Sequence, residues 1–467
     1  MGLWKFFWAV LCRLEPIFDK RAIKIGRSKM FKMFATVMTA FVIQCGRWSP
    51  SLAVRSLYLK ESRYSAVCRF FDSPFDASRL SSEMARVLAG MGMAHMVNGR
   101  VVIIADESIN PMEARKQPGV HYEHQESSSN SKRTKVWAQR YGVVAVLCGD
   151  PGNLSAVIVD AGIVRGLDAL DEWEGQESEP DTVLSARMAV QAAKAIGEPA
   201  YLLADRAYLT VAVLDVIAEA KADGTDIEII TRAKSNCAAY QYPEPQPKGK
   251  PGPKPKKGGH VKLWDLFPEG ELEPTSHHLL WNPDSPAPVH FVLCDDGEHG
   301  STAIATTDPG LDARLAVELY FLRSKIEVAI KTAKEPAGMM ACRFWSFSQP
   351  RLSHKVADRV DPLASVDGSD AREKIFLKAA AQRRFAVCCA VALAIVQMLC
   401  SQFGEQVKQA AMFQRTVPEG PIREEAMMDY LGRSYLELLA LETDFELMSI
   451  IHPQLNSKFG LSLLDVA

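Results

Sequence analysis

In the stretch 320-YFLRSKIEVAIKTAK-334, a phenol, a guanidinium, a carboxylate and an ammonium stand at offsets 0, 3, 7 and 14: Tyr320, Arg323, Glu327 and Lys334. On an α-helix at about 100° per residue, these four side chains fall within roughly a 60° arc. Leu322, Ile326, Val328 and Ile330 are then expected to pack inward. Two chemistries account for such a stripe. One is ordinary i, i+4 ion pairing, at about a few tenths of a kcal/mol per pair. The other is a carboxylate that binds a metal beside cations that hold an anion. The helix alone does not choose between them.

Two distant acids bear on the choice. The β-branched run 99-GRVVIIADES-108 ends in Asp106, and 201-YLLAD-205 ends in Asp205. Both read as acids at the carboxyl ends of strands, the edge where open α/β sheets bind ligands. If the fold brings Asp106, Asp205 and Glu327 to one edge, three carboxylates repel one another unless cations neutralise them. Hard oxygen ligands suit Mg²⁺, with Mn²⁺ as a substitute. Two such ions about 4 Å apart can clamp a phosphodiester. Arg323 and Lys334 would then hold phosphates, and Tyr320 would hydrogen-bond a phosphate or stack.

The elements that must position these residues follow from periodicity. Residues 1–95 read as helices, with helical apolar spacing in 28–44 and 77–91, and 62–76 resembles a short helix-turn-helix connection. Strands are expected at 99–108, 141–149, 154–164, 201–205 and 226–231, with helices at 183–197 and 209–221 between the later ones. Hairpins first and βα units later imply a mixed sheet with helices on its faces. The pattern breaks over 234–310. There 245-PQPKGKPGPKPKKGGH-260 reads as an exposed loop, while 261–267 and 289–296 alternate like strands of an inserted β element. Residues 336–374 read as irregular and 375–445 as mainly helical. The apolar run 385-FAVCCAVALAIVQMLC-400 is short for a membrane span of about 20 residues, so a buried core helix is expected, with Arg383 and Arg384 solvated or facing a ligand.

Composition sets wider limits. The chain has 467 residues, 48% hydrophobic and 24% charged, which is globular and long enough for two or three domains. Net charge is −2, but residues 1–100 hold 16 Lys+Arg against 6 Asp+Glu, leaving +10 there and −12 elsewhere. A polyanion contact at the N-terminal end and a basic amphipathic face without a ligand both fit. The ten cysteines are scattered without a C-x-x-C, as in a reduced, cytoplasmic protein.

Residues 320–334 match all four positions of the Y-x₂-R-x₃-E-x₆-K signature, and in this the chain resembles the DDE transposases of the insertion-sequence-four type. Asp205 in 205-DRAY-208 is similar to that branch's second-acid motif. Asp106 in 103-IIADES-108 is similar to its first, and spacings of 99 and 122 residues leave room for a β-rich insertion before the glutamate. The resemblance covers about 100–335. It implies an α/β, ribonuclease-H-like catalytic domain at 96–335, with the insertion at 234–310. A basic helical region at 1–95 would bind DNA ends, and a helical region at 336–467 would serve dimerisation. It also implies Asp106, Asp205 and Glu327 as catalytic metal ligands for two Mg²⁺ ions. The activity would be cut-and-paste: water attacks at each transposon end, and the freed 3′-OH then attacks target DNA. Partners would be double-stranded DNA, comprising terminal repeats and target, and a second copy of the chain in a synaptic complex. The protein would be nucleoid-associated when bound to DNA.

Other residues carry less. Trp264 would stack on an extruded base, as a Trp of the insertion does in that family, or fill a strand core. Arg232 would reach DNA or form an ion pair, and lysines 248, 250, 254, 256 and 257 would track phosphates or form a solvated tether. His121 and His124 have metal-like spacing without further ligands nearby. Asp150, Asp160 and Glu318 are rival acids. Different functions remain open: a repressor descended from a transposase without catalysis, a nuclease of the same fold without strand transfer, or a structural helical protein.

Overall fold

Helix caps appear where the sequence supplies them. Ser28, Ser49 and Asp76 each accept a hydrogen bond from a backbone N–H three residues on. They start α2 (Lys29–Val42), α3 (Pro50–Ser56) and α5 (Ala77–Gly90), which with α1 (Gly2–Leu14) and α4 (Arg63–Asp72) form the N-terminal helical region. The computed structural model describes residues 2–18, 27–112, 116–124, 135–234, 236–244, 254–267, 273–282, 284, 286–295, 300–335, 337–351, 362–410 and 420–456. In the segment expected to be a connection, 63–72 is a helix in its own right, and the turn is confined to 73–76.

A mixed sheet follows. Its strands are β1 (Met96–Val97), β2 (Arg100–Pro111), β3 (His121–His124), β4 (Lys135–Cys148) and β5 (Ser155–Ile163). Two short crossover units continue it: α6 (Asp168–Trp173), α7 (Asp181–Ile196), β6 (Ala200–Leu203), α8 (Val211–Ala222) and β7 (Ile227–Arg232). α7 ends on Gly197 at φ +80°, a left-handed cap that favours glycine. β4 runs antiparallel to β2 and β5, whereas β2, β6 and β7 are parallel neighbours, so the central order is β5-β4-β2-β6-β7. Val101 to Ala105 and Ala200 to Ala204 are almost wholly buried, because helices cover both faces of the parallel strands.

The insertion is a β-rich extension of the central sheet. It supplies β8 (Ala238–Tyr240), β9 (His260–Lys262), β10 (Thr275–Trp281), β11 (Ala287–Asp295) and β12 (Ser301–Thr306). β12 pairs antiparallel with β7, so the insertion prolongs the central sheet to twelve strands among the described residues. It packs its own small core around Leu263, Phe291 and Leu293. The expected strand at 261–267 is cut short: after Lys262 the chain tightens into a 3₁₀ turn, Leu263–Leu266, that buries Leu263 alone of its four residues.

The chain then forms α9 (Ala313–Leu322), α10 (Lys325–Lys334), an irregular segment over 337–351, α11 (Ser369–Ala410), α12 (Glu424–Leu441) and α13 (Glu446–Ile451). α11 is long and apolar enough to cross a membrane by length and composition, yet 83% of its most apolar window is buried inside the fold, as expected of a core helix. It packs on β5 and on α1, α2, α4 and α5, and one continuous apolar core joins the N-terminal helices to the sheet. Its two arginines are both held by protein groups. Arg383 pairs with Asp160 of β5 at 2.5 Å, lying across Gly162, where a Cβ would stand 2.8 Å from the guanidinium. Arg384 donates to the carbonyls of Phe71 and Phe75 at 3.1 and 3.0 Å, binding the end of α4.

Candidate active site

β2 and β6 are parallel, with Ile104 opposite Leu203. Asp106 and Asp205 each lie two residues beyond that pair. They therefore stand at the same level and on the same side of neighbouring chains about 4.8 Å apart. Asp106 is still within β2, opposite Val143 of β4. Asp205 follows β6 and is held by its backbone: Thr231 at the end of β7 donates its hydroxyl to the Asp205 carbonyl at 2.6 Å. Its Oδ1 accepts from the N–H of Arg206 at 2.6 Å, capping a 3₁₀ turn over Arg206–Tyr208.

Glu327 comes from a helix less regular than expected. Residues 320–334 are not one continuous α-helix. Arg323, Ser324, Ile326 and Glu327 donate to the carbonyls three residues back, so the chain tightens into 3₁₀ geometry between α9 and α10. At about three residues per turn the phase shifts, and the four side chains no longer share one stripe. Tyr320 is turned inward and buried, whereas the Glu327 side chain is 60% exposed. Ile326 and Ile330 pack inward as expected, but Val328 is 65% exposed, beside Glu327.

Arg323 is the hinge of the site. One guanidinium nitrogen donates to Asp106 Oδ2 and another to Glu327 Oε1, both at 2.9 Å. The i, i+4 pair anticipated within the helix thus exists, and the same side chain also reaches the strand acid. Burial pushes the Asp106 carboxyl above its usual range; Arg323 opposes that shift, and Asp205 and Glu327 reinforce it. The phenol of Tyr320 is likewise raised, chiefly by burial, with Arg323 and Arg232 opposing and Asp205 adding to the shift. Among the described residues, no three His, Cys, Asp or Glu side chains converge closely enough to hold a metal ion as they stand. A guanidinium occupies the place between two of the expected ligands.

Lys334 donates to the Ile109 carbonyl of β2 at 2.8 Å, and burial lowers its pKa. It fastens the end of α10 to the strand that carries Asp106. Arg232 lies at the end of β7 and forms no ion pair with any described residue. Trp264 is not a strand core residue. It is 37% exposed on the 3₁₀ turn of the insertion and rests against Phe267, ring centres 4.9 Å apart. Of the loop lysines, Lys248 and Lys250 lie outside the described residues; Lys257 stands 4.3 Å over the Tyr240 ring.

The rival acids fall away. Asp160 is consumed by Arg383, and Asp150 and Glu318 are exposed away from the cluster. His121 binds Glu123 at 2.5 Å rather than pairing with His124 for a metal. Glu123 was missed by sequence reasoning, as was its network. Arg140 of β4 binds Glu107 at 3.0 Å and Glu123 at 2.6 Å, and Arg165 joins Glu123 at 3.3 Å and Asp181 at 3.5 Å. Glu107 follows Asp106 in the strand and so faces the opposite side of the sheet. The network thus braces β2 from behind the site. The only cue was the alternation of His121 and Glu123 on a short edge strand. No known protein family, curated protein or solved structure matches the chain.

Proposed function

We propose that the protein is a DNA transposase of the DDE type, which cleaves DNA at element ends and joins the freed 3′-OH to target DNA. The single observation that carries this reading is the Arg323 bridge between Asp106 and Glu327, with Asp205 at the level of Asp106 on the neighbouring parallel strand. The order β5-β4-β2-β6-β7, with β4 antiparallel to β2, supports a ribonuclease-H-like core. The signature over 320–334 supports the reading independently of the geometry. The donor set is wholly carboxylate oxygen, which fits Mg²⁺ or Mn²⁺, and Asp106 carries buried charge that Arg323 and the Glu107 N–H offset. Two divalent ions held by Asp106, Asp205 and Glu327 would supply an activated water and steady the departing oxygen.

The chain's own residues do the rest. Thr231 and the Arg206 N–H fix Asp205, and Lys334 fixes the level of α10 against β2. Arg323 moves from the carboxylates to a phosphate when DNA arrives, exchanging one anion for another. Arg232 and Trp264 extend the contact on the insertion side, and Tyr320 supports Arg323 from below. The enzyme acts as a dimer on paired ends, in the cytoplasm. The test is cleavage of DNA bearing the element's ends, with Mg²⁺. Asp106→Asn, Asp205→Asn and Glu327→Gln should each abolish nicking, by at least about a thousandfold, while retaining end binding. A variant that nicks at the wild-type rate would overturn the site.

A second reading draws on one observation. The Arg323 bridge holds Asp106 and Glu327 together without any metal, as a silent DNA-binding descendant would require. Metal-dependent nicking by the wild-type protein excludes it.

A further inference from the structure

After α10 the chain runs irregularly over 337–351, with a turn at Phe347 and Ser348 closed by the Gln349 N–H on the Ser346 carbonyl at 3.3 Å. Phe344 packs edge-on against Phe385 of α11, and Ser346 and Gln349 are 4% and 1% exposed. Between them Arg343, Trp345 and Phe347 point out, and the two aromatics are 51% and 89% exposed. The segment is pinned along its length. The Asn110 side chain donates to the Met340 carbonyl at 2.8 Å, the Ser346 N–H to the Lys116 carbonyl at 2.9 Å, and the Gln349 side chain to the Gln117 carbonyl at 3.0 Å. The aromatics are thus presented by anchored backbone that follows the onward course of β2, the strand of Asp106. Two large apolar rings held this way in water call for a partner. The charges say which. Arg343 and Arg351 are both exposed, and neither pairs with an acid among the described residues.

We propose that residues 343–347 form a stacking ridge for single-stranded DNA, with Trp345 and Phe347 receiving unstacked bases and Arg343 a neighbouring phosphate. A base inside intact duplex has both faces covered by its neighbours, so rings that stack on bases select strands already separated. Stacking on aromatics tolerates any sequence. The ridge would therefore hold a strand freed by cleavage without choosing its bases. The inference rests on the DNA-processing reading but concerns residues outside its chemistry.

The test measures anisotropy of a labelled single-stranded oligonucleotide of mixed sequence and of its duplex, with the full chain. Trp345→Ala and Phe347→Ala together should weaken single-strand binding about tenfold or more. Duplex affinity and nicking should change less than about twofold, with circular dichroism unchanged. Arg343→Ala should flatten the salt dependence of single-strand binding, which the aromatic changes leave alone. Equal loss on both DNA forms, or no loss on either, overturns the ridge. So does a concentration-dependent self-association that the double variant abolishes, since a second copy would then be the occupant. If single strands bind the ridge but metal-dependent nicking is absent, the transposase reading fails and the ridge stands. If nicking is present and the double variant binds single strands like wild type, only the ridge fails.

Discussion

Arg323 has two carboxylate partners, Asp106 and Glu327, and each of its contacts is a charge-assisted hydrogen bond at 2.9 Å. A divalent cation entering the same acids must displace it, so metal and arginine compete until a phosphate draws the arginine away. It follows that Arg323→Gln should bind Mn²⁺ more tightly than wild type in the absence of DNA, by about tenfold, or 1.4 kcal/mol, in a calorimetric titration. Equal affinities would show that the guanidinium does not guard the site. The pH dependence has a definite sign. Burial raises the Asp106 carboxyl above its ordinary range, and the Arg323 guanidinium beside it is the main group opposing this. Removing Arg323 therefore raises it further, and metal binding, which requires the carboxylate, should strengthen with rising pH over a higher range in the variant than in wild type. The role of Arg323 was half legible in the sequence. Its spacing to Glu327 announced an ion pair, but nothing in the spacing announced Asp106, which lies 217 residues away.

At the scale of elements, regular periodicity was readable and departures from it were not. The strands of Asp106 and Asp205 were expected close to where they lie, because parallel strands buried on both faces leave unbroken apolar runs. The tightened turn between α9 and α10 had no warning, since neither proline nor glycine marks it. The ion network behind β2 was hidden for another reason: its members come from β2, β3, β4, the chain just after β5 and the start of α7, and only the fold brings them together. That network makes a measurable claim. Burial raises the Glu123 carboxyl, but hydrogen bonds from His121 and Arg140 together outweigh it and hold the group down to about 2, from an ordinary 4.5. A depressed acid stabilises the fold fully above its unfolded pKa and loses that contribution as pH falls through its folded one. Glu123→Gln should accordingly cost about 3 kcal/mol at neutral pH, read from urea midpoints, with the deficit shrinking between pH 4.5 and about 2. A deficit independent of pH would mean the loss is one of packing and not of charge.

At the scale of the whole molecule, the sequence suggested separable regions, and the burial pattern joins them. The helices of residues 1–95 contribute Phe7, Phe34, Met38 and Phe71 to the same apolar core as β2, β5 and α11. Composition cannot reveal this, because an amphipathic helix looks alike whether it faces its own bundle or a neighbouring sheet. α11 is the shared wall: it touches β5 on one side and α1, α2, α4 and α5 on others. The insertion differs, since it has a core of its own and meets the main sheet through β12 and β7. These arrangements predict where cooperativity ends. Leu393, fully buried in α11, is a fair probe, because Leu393→Ala leaves a cavity costing about 2–5 kcal/mol. Native-state hydrogen exchange should then show α2 and β5 losing protection by the same factor, since both open only when the common core opens. The amides of β10 and β11, packed on the separate cluster, should keep more of theirs. If α2 exchanged independently of β5, the N-terminal helices would form a unit that docks on the sheet, and α11 would be an interface instead of a core.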